Sequence, residues 1–168
     1  NVIPTHLEAI SAKLMESGAQ VIEGDDGRDF FIRVSSNSRA RAVNIKTLPY
    51  PGFPTDLQQP MMAYLSTAQG NSFVVENIFE DRFNHVAELQ RMGANITLNA
   101  RTAMIEGVAQ LSGAPLFATD LRAGAALIVA ALAAEGQSQV HNIGYIDRGY
   151  EFFEQKLRAL GADIERVE

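Results

Sequence analysis

Five charged side chains stand where their types and spacing could do chemistry: Asp56, Asp120, Arg82, Arg122 and Arg148. Asp56 lies in Pro51-Gly52-Phe53-Pro54-Thr55-Asp56-Leu57-Gln58, where two prolines and a glycine fix an irregular backbone ahead of an apolar, helix-like segment. Pro60 supports a helix start near Gln58, because proline is tolerated in a first turn and not in mid-helix. A carboxylate so placed has two readings. It caps the helix, as aspartate commonly does, or it is a placed general base or hydroxyl acceptor. The arginines supply forked, permanently charged donors that suit a phosphate or a carboxylate.

The elements that must position these groups follow from hydrophobic spacing. Helices are expected over 5–17, about 58–68, 84–92, 120–135 and 150–160. Strands are expected over 20–23, 30–34, 42–46, 73–78, 95–98, 102–108, 139–143 and 163–167. The turn Asp25-Asp26-Gly27 joins the first two strands. Gly18-Ala19, Gly70, Gly93-Ala94, Gly136 and Gly161-Ala162 mark helix ends.

The chain repeats itself. Thr55-Asp56-Leu57-Gln58 recurs as Thr119-Asp120-Leu121-Arg122, and Gly70-Asn71-Ser72-Phe73-Val74 recurs as Gly136-Gln137-Ser138-Gln139-Val140. Asp81-Arg82 recurs as Asp147-Arg148, and Gly-Ala appears at 18, 93 and 161. An asparagine with an aliphatic residue after it opens the way to the second helix each time, at Asn1-Val2, Asn77-Ile78 and Asn142-Ile143. Short motifs in one order at nearly equal spacing mean duplication. The expectation is two full units plus the second half of another, each full unit with two helices and about four strands. Such units cannot bury both sheet faces alone, so they should pack around a shared helical centre. Residues 1–168 then read as a single α/β (α+β) domain, partial, with its missing part upstream.

Rotation of the units about one axis gathers equivalent positions at one end. Asp56, Asp120 and Arg122 then meet at first-helix starts, with Arg82 and Arg148 at second-helix starts, where unsatisfied N–H groups favour anions. The plainer reading is that Asp81–Arg82 and Asp147–Arg148 brace the units as salt bridges. Gln58 in one copy against Arg122 in the other argues for a site rather than a repeated brace.

Composition sets the outer bounds. At 168 residues and 46% hydrophobic, the chain can bury one sizeable core. A net charge of -6 without a long basic run speaks against a nucleic-acid surface, though not against a local anion site. The longest apolar run, near Ala123 to Ala134, is too short and too rich in small residues for a membrane span. The absence of cysteine removes disulfides, thiolate zinc sites and a cysteine nucleophile from this chain, and suits a cytoplasmic protein. His6, His85 and His141 lack metal-ligand spacing and read as surface or capping residues; no metal or other cofactor is expected.

Five stretches together carry a family resemblance: Pro51 to Gln58, Phe79-Glu80-Asp81-Arg82-Phe83, Arg91-Met92-Gly93-Ala94, Ala118-Thr119-Asp120-Leu121-Arg122-Ala123 and Asp147-Arg148-Gly149-Tyr150-Glu151. They resemble the C-terminal portion of UDP-N-acetylglucosamine 1-carboxyvinyltransferases, enolpyruvyl transferases of bacterial peptidoglycan precursor synthesis. The resemblance implies an inside-out α/β barrel domain with threefold internal repeats. It implies transfer of an enolpyruvyl group from phosphoenolpyruvate to the 3′-hydroxyl of UDP-N-acetylglucosamine, through a tetrahedral addition intermediate and without a metal. On that likeness, Asp56 takes the hydroxyl proton and Asp120 lies near the reacting carbon. Ile78, largely through its backbone, and Phe79 touch the sugar nucleotide. Arg82, Arg122 and Arg148 serve activity, with Arg148 gripping phosphoenolpyruvate on closure. Asp81 departs from the asparagine common in the family, and its pairing with Arg82 would weaken that arginine's hold on ligand.

The family's usual catalytic cysteine, a lysine and further arginines belong to the upstream part, the partner domain among it. The chain is therefore expected to carry half of an interdomain site and to be inactive alone. Two other readings compete: the sister transferase acting on shikimate 3-phosphate, and a non-catalytic binding or regulatory homologue. The Pro51 to Gln58 loop disfavours the first, and the intact Asp56, Arg122 and Arg148 disfavour the second.

Overall fold

The structure is a computed structural model and describes residues 1–167. Helix α1 (Glu8–Glu16) leads into an antiparallel hairpin of β1 (Gln20–Asp25) and β2 (Phe30–Ser35). Strand β3 (Ile45–Lys46), helix α2 (Gln58–Leu65) and strand β4 (Asn71–Val75) form a crossover, with β3 and β4 parallel. Helix α3 (Val86–Arg91) precedes β5 (Asn95–Asn99) and β6 (Thr102–Glu106), and the sheet order is β3-β4-β6-β5. The pattern restarts with β7 (Pro115–Phe117), α4 (Leu121–Ala133) and β8 (Gln139–His141), again a parallel pair joined by a helix. Helices α5 (Gly144–Asp147) and α6 (Phe153–Ala159) follow.

The duplication is written into the hydrogen bonds. Thr47 N donates to Val75 O as Ala118 N donates to His141 O, and Val43 N donates to Ser72 Oγ as Ala114 N donates to Ser138 Oγ. The glycines that close equivalent helices share one backbone state, with φ of 102°, 92° and 96° at Gly18, Gly93 and Gly161, and 105° and 87° at Gly70 and Gly136. L side chains avoid that region, so glycine is what lets each helix turn into its next strand.

Helices α2 and α4 sit inside and the sheets outside. In α2, Met61, Met62, Ala63 and Leu65 are buried, and α4 buries seven residues, most of them alanine, as it packs against α2. Small side chains permit that close approach, and Leu127, Met62 and Leu65 fill the seam. Strands β4 and β6 alternate buried and exposed residues, so one sheet face covers the helices and the other meets solvent. The described strands form three separate open sheets and no closed barrel.

Most expected elements are present, several of them shorter. One expected strand is absent and two elements are additional. Residues 163–167 form no strand: a strand needs a ladder partner, and here Ile164 O is taken instead by the Arg158 guanidinium. Strand β7 and helix α5 are additional; each is too short to show a period.

A candidate anion and hydroxyl site

Asp56 belongs to a 3-10 turn (Thr55–Leu57) that runs directly into α2. Leu57 already has helix-like angles, φ -99° and ψ -1°, so no extended residue is left from which a side chain could cap the helix. The capping reading of Asp56 is thereby corrected. Its carboxylate instead accepts from Arg82 Nη2 at 2.9 Å on Oδ1 and from Arg122 Nη2 at 2.6 Å on Oδ2. The Asp56 side chain is 51% exposed, against 17% for Arg82 and 30% for Arg122, so the group faces solvent from a braced floor.

The electrostatics of Asp56 are a balance. Burial pushes its carboxyl up, but the hydrogen bonds and charges of Arg122 and Arg82 outweigh that and hold it below the ordinary carboxylate value. Arg122 is raised by the same contact, its hydrogen bond to Asp56 leading. In this state the aspartate is a poor base and the arginines are already engaged.

Asp120, the duplicate of Asp56, does cap its helix. Its backbone is extended, φ -158° and ψ 177°, and Oδ1 accepts from Arg122 N at 2.8 Å and Ala123 N at 2.9 Å. Oδ2 is left to Gln59 Nε2 at 3.4 Å, and the same amide reaches Arg82 O at 3.5 Å. Asp120 thus fixes the N-terminus of α4, and with it the base of Arg122.

Ile78 and Phe79 lie exposed beyond β4. Their N–H groups donate to Glu76 Oε1 at 2.8 and 3.1 Å, which leaves their carbonyls and side chains free to meet a ligand. The Phe79 ring lies under the Arg82 guanidinium, 4.6 Å from its centroid, a cation–π contact. Asp81 is exposed and makes no ion pair with Arg82 among the described residues; Arg82 turns to Asp56 and Thr55 instead.

Arg148 follows α5 and is exposed, with no ion pair among the described residues. Asp147 pairs with Arg166 at 2.6 Å, so the repeated Asp-Arg pairs are not symmetrical braces. Gly149 packs against Leu121 so tightly that a Cβ there would meet Leu121 Cδ2 at 2.6 Å. That contact brings the Arg148 segment to the start of α4, near Arg122. Asp56, Asp120, Arg82 and Arg122 are therefore together, with Ile78 and Phe79 at one margin and Arg148 carried to the α4 end.

Two kinds of residue escaped the sequence reading. Glu76, Thr47 and Thr55 form a buried network beneath the site. His85, expected at the surface or as a cap, is fully buried and caps nothing. Burial drives its imidazole down to about 4, with Asp120 pulling upward and Arg82 pushing further down. Its two ring nitrogens find no hydrogen-bond partner among the described residues, nor does Gln59 Oε1. For His85, helical spacing from Val86 and Leu89 was the available signal, since it places the ring on the inward face. Among the described residues no cluster of His, Cys, Asp and Glu could hold a metal, and no helix is long and apolar enough to cross a membrane.

Comparisons with known proteins bear on the family and the fold. The family model described as EPSP synthase (3-phosphoshikimate 1-carboxyvinyltransferase) matches residues 1–157. A UDP-N-acetylglucosamine 1-carboxyvinyltransferase 2 of Carboxydothermus hydrogenoformans is 58% identical over 167 residues, covering 99% of this chain and 39% of that protein. A protein named UDP-N-acetylglucosamine 1-carboxyvinyltransferase from Desulfofundulus thermocisternus is 56% identical, over 99% of this chain and 67% of its own length. Among solved structures, the enolpyruvyl transferase NikO from Streptomyces tendae superposes with a TM-score of 0.82 at 29% identity, over 95% of this chain and 36% of that one. An EPSP synthase from Acinetobacter baumannii, with a TM-score of 0.62 at 19% identity, over 96% of this chain and 36% of its own, shares the fold. The chain spans about two fifths of the length of the first curated relatives it matches, 39% in the first of them.

Proposed function

The chain belongs to the EPSP synthase family, whose members here include enolpyruvyl transferases, and from that premise we propose that the full-length protein transfers an enolpyruvyl group from phosphoenolpyruvate to the 3′-hydroxyl of UDP-N-acetylglucosamine, releasing phosphate. In this reading it serves bacterial peptidoglycan and cell-wall synthesis in the cytoplasm. The observation that carries the proposal is a single carboxylate, Asp56 ahead of α2, held between the guanidiniums of Arg122 at the start of α4 and Arg82 in the loop before α3.

The geometry suits the reaction. The sugar oxygen bonds to C2 of phosphoenolpyruvate while its C3 takes up a proton from an acid of the upstream part. C3 then gives up a proton as the bond from C2 to the phosphate oxygen breaks. The site therefore needs a proton acceptor for the hydroxyl beside anion donors. Asp56 is that acceptor. When the phosphate or carboxylate of phosphoenolpyruvate draws Arg82 and Arg122 away, Asp56 loses the hydrogen bonds that depress it and keeps the burial that raises it. It becomes a stronger base as the hydroxyl arrives. Arg122 and Arg148 hold and orient the anion, which supplies both proximity and charge stabilisation. Asp120 holds Arg122 in place, and Ile78 and Phe79 receive the sugar nucleotide. The shikimate reading has less support, since relatives named for UDP-N-acetylglucosamine are 52–58% identical, whereas the EPSP synthase structure is 19% identical and speaks for the fold alone.

This chain supplies one side of the site, with an upstream domain supplying the other, and is inactive alone. The test is phosphate release from phosphoenolpyruvate and UDP-N-acetylglucosamine, with the chain alone and then mixed with the separately made upstream part. Release in the mixture only is expected. Release from the chain alone would defeat the half-site reading, and silence of the intact protein would defeat the reaction.

A further inference from the structure

A fully buried carboxylate in the unit that carries Asp56 has a set of partners the fold does not require. Glu76 Oε1 accepts from Thr47 Oγ1 at 2.9 Å, Ile78 N at 2.8 Å and Phe79 N at 3.1 Å. Its Oε2 accepts from Thr55 Oγ1 at 3.0 Å. Thr55 Oγ1 accepts in turn from Arg82 Nη1 at 2.8 Å, and Arg82 Nη2 reaches Asp56 Oδ1 at 2.9 Å. One unbroken run of hydrogen bonds therefore joins the 78–79 backbone to the site carboxylate.

The duplicate unit shows what the scaffold needs. The matching ladder bonds pair Thr47 with Ala118 and set Glu76 against Asn142, one residue out of the Asn77–Asn142 match that the motifs suggest, while Thr55 matches Thr119. The second copy closes the same parallel crossover without a buried acid and with Ala118 in place of Thr47. Burying a carboxylate is costly unless its lone pairs are satisfied. Four donors meet that demand here, and only in the copy whose aspartate faces the arginines.

We propose that Glu76 is a positioning residue: it holds the Ile78–Phe79 segment and Arg82 in one register, so that a sugar nucleotide on the segment sets the arginine beside Asp56. Glu76 touches no reacting atom and acts through two amides on one side and Thr55 on the other. The Phe79 ring against the Arg82 guanidinium is a second link between the same two ends. The substrate arm of the test rests on the enolpyruvyl-transfer reading; the other arm does not.

The variants are Glu76→Gln and Thr55→Val, singly and together, in the full-length protein. Hydrogen exchange without ligand is expected to quicken roughly tenfold or more at the Ile78 and Phe79 amides of Glu76→Gln, and to stay unchanged at Ile105 in the sheet. Calorimetric titration with UDP-N-acetylglucosamine is expected to show roughly tenfold weaker binding in each single variant and no further loss in the double, since both cut the same run. Unchanged exchange at Ile78 and Phe79 overturns the proposal, and so do losses that multiply. Thr55→Val keeps its shape and decides the matter should Glu76→Gln not fold: unaltered binding there also overturns it. A wild-type protein that fails to bind the sugar nucleotide defeats the substrate reading instead, and the exchange arm still judges Glu76.

Discussion

Asp56→Asn separates a base from a brace, because the two roles predict different magnitudes. As a brace, Asp56 contributes two charge-assisted hydrogen bonds, to Arg82 and Arg122. Were both buried, each would count for about 1.5–3 kcal/mol. The Asp56 side chain is 51% exposed, so solvent screening cuts each to about 0.5–1 kcal/mol. Asparagine keeps one acceptor, and the expected loss of stability is about 1 kcal/mol, or roughly 2–4 °C in a domain of this size. As the proton acceptor, its removal costs about 10²–10⁴-fold in turnover, which is roughly 3–5 kcal/mol on the barrier. The assay is steady-state phosphate release by the full-length protein, beside a urea unfolding curve of the same sample. A large fall in kcat with a small shift in midpoint is expected. Turnover within about threefold of wild type removes Asp56 as the base, and a fall no larger than the loss of folded protein makes it a brace.

Other perturbations test neighbouring claims. Arg148→Ala should raise the KM for phosphoenolpyruvate by roughly tenfold or more and shift stability by less than about 0.5 kcal/mol, because Arg148 is exposed and unpaired among the described residues; an unaltered phosphoenolpyruvate dependence rules out the clamp. His85 takes its proton near 4 when folded and at 6.5 when unfolded, so the unfolded chain binds more protons between those values. Its contribution is complete above pH 6.5 and falls by about 3 kcal/mol toward pH 4; denaturant curves of wild type and His85→Gln that stay parallel across that window would contradict the burial argument. Gly107→Ala should destabilise by roughly 3 kcal/mol, since a Cβ there would lie 1.6 Å from Ala68 O; a wild-type urea midpoint would show that the backbone yields.

What the sequence disclosed was local or periodic. The start of α2 at Gln58 follows from Pro54 and Pro60, and the glycines after the helices announce the positive φ they adopt. Duplication of short motifs foretold units packed around a shared helical centre, where α2 and α4 meet; that each unit is a parallel crossover was visible only in the structure. The polar network stayed hidden because its members, Thr47, Thr55, Glu76 and Arg82, are scattered along the chain and share no period. A buried glutamate also contradicts the ordinary expectation for its type. Strand β7 is three residues headed by a proline, below what alternation can reveal. Residues 163–167 show the converse: an apolar–polar pattern is a strand only where another edge completes its ladder.

The two aspartates show how a repeated unit gains a site without losing its frame. Both follow threonine and precede leucine, and both stand at the start of a central helix. Asp120 has extended angles and spends Oδ1 on two helix amides. Asp56 enters through a 3-10 turn, caps nothing, and meets two arginines. The local difference is that turn, which the constrained Pro51 to Pro54 loop feeds and whose threonine hydroxyl is tied to Glu76. Arg122, where the other copy has Gln58, then reaches across from the capped helix to the uncapped carboxylate. One copy thus supplies a rigidly capped cation and the other a carboxylate released from capping. The Arg122–Asp56 pairing arises from divergence within the repeat, so Arg122→Gln, which matches Gln58 of the other copy, would remove it while leaving the crossovers intact.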